Sequence, residues 1–106
     1  MRIVATPEVV EYIRRNGGQI FVWTMTMDYG HGPSNIFVLE ASVDSPGAER
    51  EFLRFGGEGI EVLYDPGERG TPDSLHLALR GRVRKRVAAF WNGHNFGSGR
   101  APGPNA

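Results

Sequence analysis

The sequence contains no cysteine among its 106 residues. Disulfide bonds, thiolate metal ligands and cysteine nucleophiles are therefore excluded. A metal site in this chain would have to use imidazole and carboxylate ligands. An ordinary iron–sulfur cluster is held chiefly by thiolates and is not expected. No Gly-x-Ser-x-Gly pattern surrounds any serine and no carboxylate pair stands out, so we expect a protein that is not an enzyme.

Long apolar runs and an excess of charge of one sign are also missing. No apolar stretch approaches the roughly 20 residues that span a membrane, and twelve Lys or Arg residues balance twelve Asp or Glu residues. The overall charge therefore does not draw the chain toward nucleic acid or an anionic membrane. Because no signal-peptide pattern is present, we expect a cytoplasmic protein without membrane contact.

The remaining composition is typical of one small domain with a single core. Thr6 is a suitable helix N-cap, Pro7 suits the first helical position, and Gly17-Gly18 ends the predicted helix. Later segments are rich in β-branched and aromatic residues or alternate apolar with polar residues, which favours strands. The predicted strands cover residues 1–5, 20–27, 35–43, 60–64, 75–79 and 83–91. This order predicts an α+β domain that is mainly β.

Composition changes near the C-terminus of the chain. Residues 97–106 contain three glycines, two prolines and no large apolar side chain. We therefore predict a folded domain over residues 1–96 and a disordered tail over residues 97–106. Within the domain, we expect the large aromatic side chains to dominate the core: Phe21, Trp23, Phe90 and Trp91.

Three stretches together carry a resemblance to a known family. They are residues 6–13 (Thr-Pro-Glu-Val-Val-Glu-Tyr-Ile), residues 57–66 (Gly-Glu-Gly-Ile-Glu-Val-Leu-Tyr-Asp-Pro) and residues 89–93 (Ala-Phe-Trp-Asn-Gly). In order and spacing they resemble the HesB-like domain of A-type iron–sulfur carriers such as IscA. The resemblance implies a HesB-like fold over residues 3–96, with one N-terminal helix on folded mixed or antiparallel β-sheets. It also implies self-association into a homo-oligomer, as the family's carriers form.

The family's function depends on three cysteines that this sequence lacks. The resemblance would place the first within residues 31–34 and the other two near residues 93–95 and beyond, where no cysteine occurs. The resemblance also implies that the loops carrying His31 and His94 lie close together. Imidazole is a good ligand for zinc or iron, and Asp28 could add a carboxylate. The hypothesis is a thiol-free metal site of His31, His94 and Asp28; the alternative is that both histidines are solvent-exposed and share no site.

A run of basic residues is the second candidate site. Residues 80–86 read Arg-Gly-Arg-Val-Arg-Lys-Arg and contain five cations and no acid. If this run were one strand, alternate side chains would share one face and could bind an acidic protein partner or track phosphates. No aromatic residue is interleaved for base stacking, so nucleic acid is the less favoured partner. The alternative is a solvated or ion-paired edge strand. The candidate partner-binding residues are Arg80, Arg82, Arg84, Lys85 and Arg86.

Two further features are interpreted structurally. His76 lies in the predicted strand of residues 75–79, on the face opposite the leucines, and is interpreted as a surface histidine. Asn92-Gly93 is typical of a tight turn.

Two functions of different classes follow from these features. The leading hypothesis is a non-enzymatic accessory or metal-binding protein related to iron–sulfur cluster assembly carriers. The alternative is a metal-free interaction module that binds an acidic partner through residues 80–86.

Overall fold

The chain folds into two mixed β-sheets and one helix in the computed structural model, which describes residues 1–28, 35–47, 50–67, 69–95 and 99–100. The first sheet has the strand order β1-β6-β7-β8-β9 and the second has the order β3-β2-β5-β4. The described part is mostly strand, as the predicted α+β, mainly β class requires. The elements are β1 (Arg2–Ala5), α1 (Pro7–Arg15), β2 (Gln19–Asp28), β3 (Asn35–Ser42), β4 (Leu53–Gly57), β5 (Ile60–Asp65), β6 (Ser74–Arg80), β7 (Arg86–Trp91), β8 (His94–Asn95) and β9 (Gly99–Arg100).

Helix α1 begins and ends where its sequence signals predict. The Thr6 side chain accepts a hydrogen bond from the Val9 backbone N–H, and Pro7 occupies the first helical turn. At the other end the Gly18 N–H donates to the Ile13 carbonyl, with Gly17 and Gly18 both at positive φ. The capping hydrogen bonds satisfy backbone groups that the short helix would otherwise leave unpaired.

Each sheet contains one parallel pair of strands that are far apart in the sequence. Strand β1 pairs parallel with β6, and β2 pairs parallel with β5. The other pairs in both sheets are antiparallel. Helix α1 therefore carries the chain from an edge strand of the first sheet to an inner strand of the second.

The main core lies where the two sheets and the helix meet. Alternate residues of the inner strands turn toward it, and the helix adds Val9 and Ile13, both completely buried. The buried set comprises Ile3, Val9, Ile13, Ile20, Val22, Leu39, Ile60, Val62, Tyr64, Leu75, Leu77, Val87 and Ala89. Aliphatic side chains and one tyrosine thus build the core.

The prediction that four aromatic side chains dominate the core is wrong for two of them. Phe21 and Trp23 are half-buried on the outer face of the second sheet, because Ile20 and Val22 occupy the inward positions of β2. Phe52 packs edge-on against Phe21, with ring centroids 5.3 Å apart. Phe90 is fully buried, but it packs with Ala78 and Ala88 in a second, smaller cluster. Trp91 contacts the main core from a half-buried position.

Strand pairing extends into the segment predicted to be a tail. Gly99 and Arg100 form β9 and pair with β8. Residues 101–106 lie outside the described residues, so the disordered tail over 97–106 stays a prediction for that part of the chain.

Candidate functional site

The basic run forms a hairpin loop between two strands of the first sheet. Arg80 ends β6, Arg86 begins β7, and the two are directly paired across the hairpin. Residues 80–86 therefore do not form one strand, and the arginines do not share a single face as they would in a strand. Gly81 is the physical reason, since its φ of 100° turns the chain out of the extended conformation. We call residues 81–85 the basic loop.

The basic loop is exposed along its whole length. Residues 81–86 are all exposed, and Val83 is 97% exposed with Arg82 and Arg84 on either side of it. Within the described part of the chain, no carboxylate forms an ion pair with Arg82, Arg84, Lys85 or Arg86. The loop therefore presents an apolar tip between cations that are not neutralised by the described acidic residues.

Three contacts lie at the base of the basic loop. A Cβ added to Gly81 would overlap the backbone carbonyl of Arg84, so the turn closes tightly on itself. The Tyr12 hydroxyl of α1 donates a hydrogen bond to the Lys85 carbonyl at 3.4 Å. On the outer face of the sheet, the Arg80 guanidinium lies 5.6 Å from the centre of the Phe90 ring, within cation–π range.

The predicted metal ligands fall only partly within the described structure. His94 is exposed in β8, opposite Trp91 on β7. The backbone of Asp28 ends β2 opposite Asn35, but its side chain lies outside the described part, and so does the whole of His31. Among the residues that are described, no group of three or more His, Asp or Glu side chains could hold a metal ion. The site of His31, His94 and Asp28 therefore stays a prediction.

His76 is more closely surrounded than a simple surface histidine. It is half-buried on the outer face of β6, where its Nε2 lies 3.1 Å from the Ser74 hydroxyl oxygen. Burial lowers the pKa of His76, and the positive charges of Arg2 and His94 lower it further. His76 is therefore largely neutral near pH 7. The Ser-x-His spacing on one strand face was a sequence signal for this pair, whereas the approach of Arg2 depends on the parallel pairing of β1.

Ser74 and His76 alone do not make a hydrolase site. Among the described residues, no carboxylate hydrogen-bonds to His76 in the way that a catalytic triad requires. The pair provides a hydroxyl and an imidazole that a ligand could contact.

A shallow cavity of about 530 Å³ lies beside α1, away from the basic loop and from Ser74 and His76. It is lined by Ala5, Pro7, Val10, Glu11, Arg14 and Glu58. The charged members are partly engaged within the protein, because Glu11 pairs with Arg15 and Arg14 donates to the Gly59 carbonyl. The cavity therefore leaves few polar side chains free to bind a ligand.

Fold and site together define a small two-sheet β domain with one helix and an exposed basic hairpin loop. Comparison of the chain with protein-family models and with curated proteins gives no match. The HesB-like resemblance thus remains a prediction that depends on the three sequence stretches. In the described residues, the only helix is too short to cross a membrane.

Proposed function

We propose that this domain is a non-enzymatic interaction module that binds an acidic protein partner through the basic loop. The observation that carries the proposal is the exposed Arg82-Val83-Arg84 tip, whose cations have no ion-pair partner in the described structure. A partner carboxylate would meet these cations without displacing an internal ion pair. Complementary charge of this kind steers association and selects the partner.

The conformation of the loop supports binding in a second way. Ordering flexible segments at an interface has a free-energy cost that weakens binding. The Gly81 turn, which closes tightly on the Arg84 carbonyl, already restricts the backbone at the base of the loop. The ordering cost therefore falls mainly on the arginine side chains.

The exposed valine favours a protein partner over nucleic acid. Val83 would be desolvated against an apolar spot on a protein surface, whereas a phosphate backbone offers it no apolar contact. The basic loop has no aromatic side chain on which a base could stack. An acidic surface with an apolar centre is the complementary chemistry.

The proposal is tested by fluorescence anisotropy with two probes: a peptide of alternating Glu and Leu, and a single-stranded RNA of equal charge. We expect saturable binding of the peptide and weaker binding of the RNA. Arg82→Gln/Arg84→Gln should weaken peptide binding by roughly threefold to tenfold, the effect of losing two exposed ion pairs. Val83→Ser should weaken binding of the peptide and leave binding of the RNA unchanged.

The matched control is Arg15→Gln/Arg54→Gln, which removes the same charge from exposed positions elsewhere. It should leave peptide affinity unchanged. An equal loss in both double variants would show that only overall charge matters, and preferential binding of RNA would replace the protein partner with nucleic acid.

The second candidate is a metal-binding accessory protein of HesB-like fold, related to iron–sulfur assembly carriers. It is favoured by the exposure of His94 in β8, which leaves this imidazole accessible to a metal ion. Self-association of the domain would bring further ligands to such a site.

A further inference from the structure

A second candidate site, formed by Arg2, Ser74 and His76, lies at the end of the β6–β7 hairpin opposite the basic loop. In the parallel pairing of β1 with β6, Arg2 is opposite Ser74, and Val4 is opposite His76. The neighbouring residues Ile3 and Leu75 enter the main core. Because side chains alternate along a strand, Arg2, Ser74 and His76 all project from the outer face of the first sheet.

The backbone around these three residues is held in place by the turn that follows β7. Asn92 donates its backbone N–H to the Ser74 carbonyl at 2.9 Å, and its side-chain oxygen accepts the Ser74 N–H at 2.9 Å. Gly93 then passes beside the imidazole, since a Cβ added there would lie 3.9 Å from His76 Nε2. Ser74 and His76 are therefore presented from a fixed backbone.

Arg2 brings a permanent positive charge to this region. Burial is the main cause of the lowered pKa of His76, and the positive charge of Arg2 adds to it, which places this guanidinium near the imidazole. No carboxylate of the described residues forms an ion pair with Arg2. Its guanidinium is therefore available to bind an anion.

We propose that Arg2, Ser74 and His76 form a binding site for a phosphate group. Arginine gives charge-assisted hydrogen bonds to phosphate oxygens in a geometry that matches them. Ser74 and His76 hydrogen-bond to each other, so the pair adds one neutral donor, either the hydroxyl or a ring N–H, from the strand beside it. The site is separate from the basic loop, which lies beyond the opposite end of β6.

The site of Arg2, Ser74 and His76 suits a phosphate better than a metal cation. The Arg2 guanidinium, which always carries a positive charge, would repel a divalent ion bound at His76. A phosphate would instead be attracted by Arg2 and would accept a hydrogen bond from the neutral pair of Ser74 and His76. Binding at this site does not depend on the partner proposed for the basic loop.

Proton NMR of the full chain, titrated with inorganic phosphate against sodium chloride of equal ionic strength, tests the site. We expect saturable shifts of the His76 ring protons and of the Arg2 side chain with phosphate only. Arg2→Gln should weaken binding about tenfold or more, as expected for loss of a charge-assisted hydrogen bond. Ser74→Ala should weaken it by a smaller factor.

The matched control is Arg15→Gln, which removes one exposed arginine from α1. It should leave the phosphate affinity unchanged. Shifts that fail to saturate, that are the same with chloride, or that centre on Arg82 and Arg84 would overturn the proposal. So would an Arg2→Gln variant that binds as tightly as the wild type.

Discussion

Tyr64 shows at the scale of one residue how a polar group is accommodated in this core. The side chain is completely buried, and its hydroxyl donates a hydrogen bond to the Gly70 carbonyl at 2.8 Å. Burial and, to a lesser extent, the negative charge of Asp65 raise the pKa of Tyr64 from 10.0 to about 12. The fold thus depends on the protonated form of this phenol.

Stability should therefore fall at alkaline pH because of Tyr64. In the unfolded chain the phenol ionises near pH 10, whereas in the folded chain it keeps its proton until about pH 12. The contribution is fully present below pH 10 and is lost as the pH rises toward 12, since the unfolded state binds fewer protons there. Urea unfolding at several pH values should show this loss in the wild type and a smaller one in Tyr64→Phe.

At neutral pH, Tyr64→Phe should lower the free energy of unfolding by about 1 kcal/mol, because the Gly70 carbonyl loses its donor. Tyr12→Phe is the matched control, since its hydrogen bond is longer and exposed. If the two variants had the same pH dependence between 10 and 12, the role of Tyr64 would be refuted.

At the scale of elements, α1 is stable only through its packing. A helix of nine residues is marginal in isolation. Val9 and Ile13 lie one turn apart and are both inaccessible to solvent. Since α1 connects strands of different sheets, these contacts also hold the two sheets on one core.

Ile13→Ala should therefore destabilise the whole domain. Removing a completely buried isoleucine leaves a cavity and costs about 2–5 kcal/mol. Val10→Ala on the same helix should cost less, because Val10 is only half-buried. Both values are obtained from denaturant unfolding followed by circular dichroism. A smaller loss for Ile13→Ala than for Val10→Ala would contradict this packing.

At the scale of the whole molecule, net neutrality conceals a local separation of charge. Twelve acidic and twelve basic residues balance, yet cations gather in the basic loop at one end of the β6–β7 hairpin, and Arg2 lies at the other end. The described ion pairs lie elsewhere, on α1 and on the second sheet. The net charge of the chain therefore does not predict which ligands this surface binds.

The metal hypothesis is also a prediction about the whole molecule, because its ligands come from distant segments. Mass spectrometry of untagged protein should find stoichiometric zinc or iron in the wild type and none in His94→Ala or His31→Ala. His76→Gln is the matched control and should retain the metal. Wild-type protein that is folded and metal-free, or His94→Ala that keeps its metal, would exclude the site.

Local patterns predicted most of the elements but missed β4. The helix has a cap at each end, and the long strands have β-branched or alternating residues, so their signals lie within a few neighbours. Strand β4 ends in Gly56 and Gly57, which usually break a strand. It forms because it pairs with β5 along the sheet edge, and Gly57 leaves room for Ile3, which a Cβ would contact at 3.0 Å.

The two candidate sites differ in how far the sequence could predict them. The basic loop was found as a run of neighbouring residues between the predicted strands 75–79 and 83–91, although the second strand begins only at Arg86. The Arg2, Ser74 and His76 group was not found, because Arg2 reaches β6 only through a parallel pairing between opposite ends of the domain. Such pairings depend on the whole set of tertiary contacts and cannot be inferred from the sequence of either segment alone.

The sequence by itself determined the cysteine-free chemistry, the helix with its caps, most strands and the concentration of cations in residues 80–86. These properties depend on side-chain identity and on hydrogen bonds between near neighbours. Only the tertiary structure decided the division into two sheets, the exposure of Val83 and the meeting of Arg2 with His76. They depend on which distant strands pair, because burial of the common apolar core selects that arrangement over the others that local propensity allows.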